Sequence, residues 1–117
     1  MHLNICKGRS GEDIAADFFL SMGYTILERN YRNRFGEIDL VLEKGGLLVF
    51  AEIKTRSSCR FGLPQEAVTV SKQERIRRIA MSYIQDNGME ERDVRFDVVG
   101  IIMTGKSISI DHITGAF

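Results

Sequence analysis

The sequence predicts a single α/β domain, 1–117, with a mixed central sheet flanked by helices and the element order αβββαββ. Two stretches carry apolar residues at helical spacing, and each one begins at a capping signal and ends at a glycine. These helical stretches alternate with five stretches whose composition is typical of strands. The chain has 117 residues, of which 44% are hydrophobic, so it is long enough and apolar enough for one core.

The first helix is predicted over residues 11–22. Ser10 has the chemistry of an N-cap residue, and Asp13 follows three positions later, as in a capping box. Gly23 is typical of the residue that follows the end of a helix. The apolar stripe of this helix recurs every four positions, at Ile14, Phe18 and Met22.

Three strands are predicted next, over residues 24–31, 36–43 and 47–54. The last of them is a nearly continuous apolar run, which is typical of a central strand. The short Gly45-Gly46 turn before it suits a hairpin. The second and third strands are therefore expected to be antiparallel neighbours.

A second helix is predicted to begin at Ser71, because Ser71-Lys72-Gln73-Glu74 has the pattern of a capping box. Asn87-Gly88 ends it, and residues 56–70 precede it as a loop. Further strands are predicted over 95–102 and 107–110. The apolar face of this helix is formed by Ile76, Ile79, Ala80, Tyr83 and Ile84.

Charge and cysteine content exclude several classes of protein. Lys+Arg and Asp+Glu both number 16, so the chain has no net charge to drive tight binding to nucleic acid. Basic residues concentrate in 53–62 and 71–79, where they form either a basic face or ordinary solvated surface. Cys6 and Cys59 lack the neighbouring ligands of a zinc site and are expected to be reduced, without a disulfide, in a cytoplasmic protein. No signal peptide or membrane span is predicted.

Three charged residues, Asp39, Glu52 and Lys54, interrupt apolar strands. Because side chains alternate along a strand, Glu52 and Lys54 project from one face, roughly 7 Å apart, and Asp39 can face them from the neighbouring strand. Two carboxylates and the carbonyl of Ile53 are hard oxygen ligands suited to Mg²⁺ or Mn²⁺. A lysine beside such a metal suits hydrolysis of a phosphodiester. The alternative is a plain Glu52–Lys54 ion pair on an exposed edge strand.

The same residues resemble a known motif. Asp39, twelve intervening residues and Glu52-Ile53-Lys54 are similar to the PD-(D/E)xK motif of restriction-endonuclease-like nucleases, although Ile38 stands where the usual proline would be. Related resolvases share that departure. The flanking segments are similar to the YraN-like bacterial family, which is close in fold to archaeal Holliday-junction resolvases. These segments are Gly11–Ala16, Gly36–Val41, Glu52–Arg56, Phe61-Gly62, Glu66–Val68, Arg95–Val98, His112-Ile113 and Ala116-Phe117.

The resemblance implies a restriction-endonuclease-like fold and a metal-dependent endonuclease acting on branched or structured DNA, with Asp39, Glu52 and Lys54 as its catalytic residues. It also implies that Glu12 is a further catalytic group on the metal or phosphate side. The alternative for Glu12 is an acid favoured only by the helix dipole. Resolvase relatives work as homodimers, so a homodimer is a possible assembly. The other functions left open are a non-catalytic nucleic-acid-binding module and an adaptor.

Several other polar residues are weaker candidates. Lys72 either points towards the sheet or extends to solvent along the helix. Gln65 and Glu66 precede that helix. They either line the site or have no part in it. His2 and His112 lie near the two ends of the sequence and are not expected to take part in catalysis. The residues expected to contact phosphates are Arg56, Arg60, Lys72, Arg75 and Arg78.

Overall fold

The computed structural model describes residues 2–4, 10–57 and 63–117. The predicted α/β class and the order αβββαββ are confirmed, with a short strand added at the front and a 3₁₀ helix, Pro64–Ala67, inside the predicted loop. No helix in the described part of the chain is long and apolar enough to cross a membrane. The regular elements are β1 (His2–Asn4), α1 (Gly11–Ser21), β2 (Thr25–Asn33), β3 (Gly36–Lys44), β4 (Leu47–Arg56), α2 (Val70–Asp86), β5 (Asp93–Thr104) and β6 (Ser107–Ile113).

The strands form one mixed sheet in the order β1-β6-β5-β4-β3-β2. Strands β3 and β4 are antiparallel, as the Gly45-Gly46 turn predicted, and both glycines have positive φ, 54° and 84°. Strand β4 is parallel to β5, and α2 lies in the connection between them. β4 is thus an interior strand rather than an edge strand.

Each helix covers one face of the sheet. On β4, Val49 and Ala51 pack in the core beneath α1, whereas Leu48 and Phe50 pack in the core beneath α2. All five apolar residues predicted to form the inner face of α2 are buried. The period-2 alternation along β4 therefore decides which polar residues face which helix.

The helix starts agree with the sequence at α1 and differ at α2. The Asp13 N–H donates to Ser10 Oγ at 3.2 Å, so the predicted capping box of α1 is present. The predicted cap at Ser71 is wrong, because Thr69 Oγ1 accepts the hydrogen bond from the Lys72 N–H at 3.2 Å. Two hydroxyl residues compete for the cap, and the first one takes it because Val68 is anchored in the core just before it.

Candidate active site

Asp39 lies where the pairing between β3 and β4 stops. The last pair of that ladder is Leu40 with Ala51. Beyond it, a side chain replaces the main chain as the hydrogen-bond acceptor, since the Ile53 N–H donates to Asp39 Oδ2 at 2.7 Å. The carboxylate of Asp39 is thereby fixed against the backbone of β4.

Glu52 and Lys54 follow Leu48 and Phe50 on the α2 side of β4. Lys54 Nζ lies 3.5 Å from Glu52 Oε1, and the two side chains are only 18% and 17% exposed. This is a partly buried ion pair in an interior strand, not a solvated pair on a sheet edge. Keeping charged groups in such a place costs free energy unless other groups compensate them.

The electrostatic surroundings of Asp39 are unfavourable for its charge. Burial raises the pKa of Asp39 to about 6, and the nearby carboxylate of Glu52 adds to the rise. The charge of Glu12, in the first turn of α1, acts in the same direction. The hydrogen bond from Ile53 opposes the rise but does not cancel it. Asp39, Glu52, Lys54 and Glu12 are called the Asp39 centre below.

Two close backbone approaches bring other elements to this end of the sheet, and sequence reasoning missed both. A Cβ on Gly11 would lie 1.9 Å from Thr55 Oγ1, so glycine lets the start of α1, with Glu12, lie against β4. A Cβ on Gly100 would lie 2.1 Å from Pro64 Cγ, so glycine also lets the 3₁₀ helix pack against β5. Gly100 is the residue of β5 that pairs with Lys54. Gly11 belongs to the segment Gly11–Ala16, which is similar to the YraN-like family, and this was the available signal for the first contact.

A cleft of about 300 Å³ opens beside the Asp39 centre. It brings Lys72 and Arg75 of α2 together with Asp39 and Glu52, which favours the inward orientation of Lys72 over the solvent-directed one. The proximity of Lys54 lowers the pKa of Lys72, so the two ammonium groups are neighbours. The lining residues of the cleft are Phe35, Gly36, Glu37, Asp39, Glu52, Lys72, Arg75 and Ile76.

The remaining candidates are distributed around this cleft. Arg78 lines two adjoining clefts, and Arg56 ends β4. Gln65 lies in the 3₁₀ helix, where its Oε1 is buried and accepts no hydrogen bond from the described residues, whereas Glu66 is exposed. Arg60, both cysteines and the side chain of His2 lie outside the described residues.

The carboxylate oxygens of Asp39 and Glu52 are donors of the kind that a hard divalent cation prefers. Within residues 2–4, 10–57 and 63–117, no three His, Cys, Asp or Glu side chains are arranged to hold a metal ion. Mg²⁺, however, is commonly held by one or two carboxylates and keeps several waters. A cation between Asp39 and Glu52 would also relieve the like-charge repulsion that raises the pKa of Asp39.

A second aspartate, Asp97, has strong partners that sequence analysis did not foresee. It is fully buried on the α1 side of β5 and accepts hydrogen bonds from Arg95 Nε and Nη2, both at 2.8 Å. His112 Nε2 lies 2.7 Å away, and the Gly115 N–H donates at 3.2 Å. Arg95 Nη2 also donates to the Tyr24 hydroxyl at 2.7 Å. These five residues are called the Asp97 network.

The Asp97 network stabilises the charge of its carboxylate. Burial by itself would raise the pKa of Asp97, but the hydrogen bonds from His112 and Arg95 outweigh burial and hold the pKa below its usual value. His112 therefore has an acidic partner, which comes from another strand rather than from its sequence neighbours. The signal was present in two of the quoted family segments, which contain Arg95, Asp97 and His112.

The topology and the placement of Asp39 and Glu52 on a central hairpin define the class of protein, a restriction-endonuclease-like α/β fold. The profile of Uncharacterised protein family UPF0102 matches residues 11–101, and the chain belongs to this family. That membership confirms the resemblance to the YraN-like family.

Relatives from three bacteria match nearly the whole chain. A UPF0102 protein of Rhodococcus jostii is 45% identical over 115 residues, which span 97% of this chain and 98% of the relative. One from a Nocardioides species is 49% identical over 109 residues, covering 92% and 88%. One from Dictyoglomus turgidum is 40% identical over 112 residues, covering 94% and 95%.

Proposed function

We propose that this protein is a metal-dependent endonuclease that hydrolyses phosphodiester bonds in DNA and prefers branched or structured DNA. The observation that carries the proposal is the Asp39 centre itself. Asp39 and Glu52 line one cleft together with Lys72, and Lys54 Nζ lies 3.5 Å from Glu52 Oε1. Perturbed carboxylates in a cleft are typical of functional sites.

Each residue of the centre has a distinct task in such a reaction. Asp39 and Glu52 would hold Mg²⁺ or Mn²⁺, and the carbonyl of Ile53 is expected on the same side of β4 as its N–H, which contacts Asp39. Such a cation, when bound, would supply a water of lowered pKa and positive charge to neutralise the scissile phosphate. Lys54 orients the attacking water or stabilises the developing negative charge. Glu12 adds a carboxylate on the metal or phosphate side.

The substrate preference follows from the distribution of charge. Lys72, Arg75 and Arg78 recur every three residues on α2 and lead away from the Asp39 centre, while the chain as a whole is neutral. Such a row contacts phosphates and carries little sequence information, so selectivity falls to the shape of the DNA. A homodimer would hold two clefts at a fixed spacing, which suits a branched junction.

The test is cleavage of linear, flapped and four-way DNA with Mg²⁺ or Mn²⁺. Wild type should cut branched DNA only when metal is present. Asp39→Asn and Lys54→Met should lose at least about 100-fold in rate. Glu90→Gln, which changes an exposed acid in the turn after α2, should cut like wild type. Absence of metal-dependent cleavage on every substrate, or equal rates for Asp39→Asn and wild type, would contradict the proposal.

One observation favours a second candidate, a module that binds structured nucleic acid without cutting it. No three-residue metal set exists among the described residues, and a site that only grips phosphates needs none. For this function, binding measured in Ca²⁺ should persist in wild type, and no metal should produce cleavage. Asp39→Asn would then bind at least as tightly as wild type, because it removes a negative charge from the cleft.

A further inference from the structure

The turn between β2 and β3 is held rigidly against α2. Asn33 Oδ1 accepts a hydrogen bond from the Phe35 N–H at 2.9 Å, and Asn33 Nδ2 donates to the Ile79 carbonyl at 3.4 Å. Gly36 has φ 141°, and a Cβ there would lie 3.2 Å from Ile79 Cδ1 and 3.4 Å from Arg75 Cδ. These contacts anchor the turn that carries Phe35 against α2.

Phe35 lies between the cleft that contains the carboxylates and two clefts that Arg78 lines. It lines the cleft of about 300 Å³ that contains Asp39 and Glu52. It also lines two adjoining clefts of about 340 and 360 Å³, both of which include Arg34 and Arg78. One aromatic side chain thus forms part of the wall of all three spaces.

The surroundings of Phe35 match the chemistry of a nucleotide. The Arg34 guanidinium lies 4.7 Å from the ring centroid. The cleft of about 360 Å³ is lined by three arginines and a single acid, which are Arg34, Arg75, Arg78 and Glu74. Arginines neutralise phosphates, and an aromatic ring beside them gives a base a surface on which to stack.

We propose that Phe35, with Arg34, is a stacking platform for an unpaired DNA base next to the phosphate held at the Asp39 centre. This inference rests on the proposed function and makes it more specific. Inside a duplex, each base is already stacked on both of its neighbours, so a side chain can stack on an internal base only after that base has left the helix. The platform therefore selects flaps, gaps and junctions over continuous duplex, and Phe35 is a specificity-determining residue.

The experiment compares wild type, Phe35→Leu and Phe35→Tyr in binding to a flapped duplex and to a blunt duplex, with Ca²⁺ in place of Mg²⁺. Phe35→Leu should weaken binding to the flapped DNA by roughly tenfold, or about 1.4 kcal/mol. It should change binding to the blunt duplex by less than about twofold, because no unpaired base is offered there. Phe35→Tyr keeps a ring and should bind like wild type.

A second measurement uses only wild type, so it does not depend on whether a variant folds. With 2-aminopurine as the first unpaired base of the flap, binding of wild type should lower its fluorescence, since stacking quenches this base. Thermal melting checks the fold of Phe35→Leu, because the ring also packs partly against the core beneath α2. Val70→Ala, a change at an exposed residue of α2 outside the three clefts, is the matched control and should bind both DNAs like wild type.

The outcomes separate the platform from the proposed function. Equal weakening of both DNAs by Phe35→Leu, or unchanged fluorescence on binding, would overturn the platform and leave DNA binding in place. Failure of wild type to bind either DNA would overturn both. Selective weakening of the flapped DNA would support the platform even if no cleavage were observed.

Discussion

Asp39 and Asp97 are carboxylates on neighbouring parts of one sheet, yet their surroundings shift their pKa values in opposite directions. Asp97 is fully buried and is surrounded by donors, so its pKa is lowered. Asp39 is partly buried and faces Glu52, so its pKa is raised to about 6 despite the hydrogen bond that it accepts from the Ile53 N–H. The fold supplies its own partners to one aspartate and leaves the other facing a second carboxylate. This contrast separates a structural carboxylate from a candidate functional one.

The largest expected effect is on the structural side of the comparison. Asp97→Ala should lower the free energy of unfolding by about 3 to 5 kcal/mol, because it empties a fully buried position and leaves Arg95 and His112 without their acceptor. Urea denaturation measures the loss. Asp111→Asn, at an exposed position of β6, is the control and should cost little. A loss below about 1 kcal/mol for Asp97→Ala would remove the contrast.

The next effect is a gain in the free energy of unfolding rather than a loss, and it concerns Asp39. Because the pKa of Asp39 is higher in the folded protein than in the unfolded chain, its contribution to stability is greatest at low pH and is lost as pH rises from about 4 to about 6. Asp39→Asn should therefore raise the free energy of unfolding by about 1 to 2 kcal/mol at pH 7.5 in metal-free buffer, after allowance for solvent screening. The gain should vanish below about pH 4.

Denaturation of wild type and Asp39→Asn across that pH range checks this prediction. The Asp97 network should behave in the opposite way in wild type. Its lowered pKa means that its stabilisation is present above the usual pKa of an aspartate and is lost as pH falls through the folded value. If Asp39→Asn had a lower free energy of unfolding than wild type, by an amount that did not vary with pH, Asp39 would be a structural residue like Asp97.

The smallest effect concerns the edge of the Asp97 network. Tyr24→Phe removes the hydroxyl that accepts from Arg95 Nη2, while both bonds from Arg95 to Asp97 remain. Because Arg95 is partly exposed, water can replace the hydroxyl, and the expected cost is about 0.5 to 1 kcal/mol. Thermal melting measures it. A cost as large as that of Asp97→Ala would mean that Tyr24, not Asp97, organises the network.

The sequence predicted the element order and the inner face of α2 because periodicity reports burial directly. It missed β1, since three residues are too few to show alternation. The start of α2 was wrong because Thr69 and Ser71 are chemically similar caps, and only the packing of Val68 decides between them. Local patterns thus predict elements well and their boundaries less well.

The candidate site was predictable to the extent that it is local. Asp39, Glu52 and Lys54 stand out as charges within apolar strands joined by a recognisable hairpin. The Asp97 network was not visible, because His112 and Asp97 meet across strands and each resembles an ordinary polar residue in its own segment. The role of Phe35 depends on how one turn docks on α2, which no local pattern encodes.

The most direct test of the central claim is the change in melting temperature on adding Mn²⁺. At a concentration about 100 times the dissociation constant, the ion should stabilise wild type by about 2.7 kcal/mol, which corresponds to several degrees. Asp39→Asn and Glu52→Gln should show little or no rise, whereas Glu90→Gln should rise like wild type. An equal rise in Asp39→Asn and wild type would place the ion elsewhere and contradict the assignment of the Asp39 centre as a metal site.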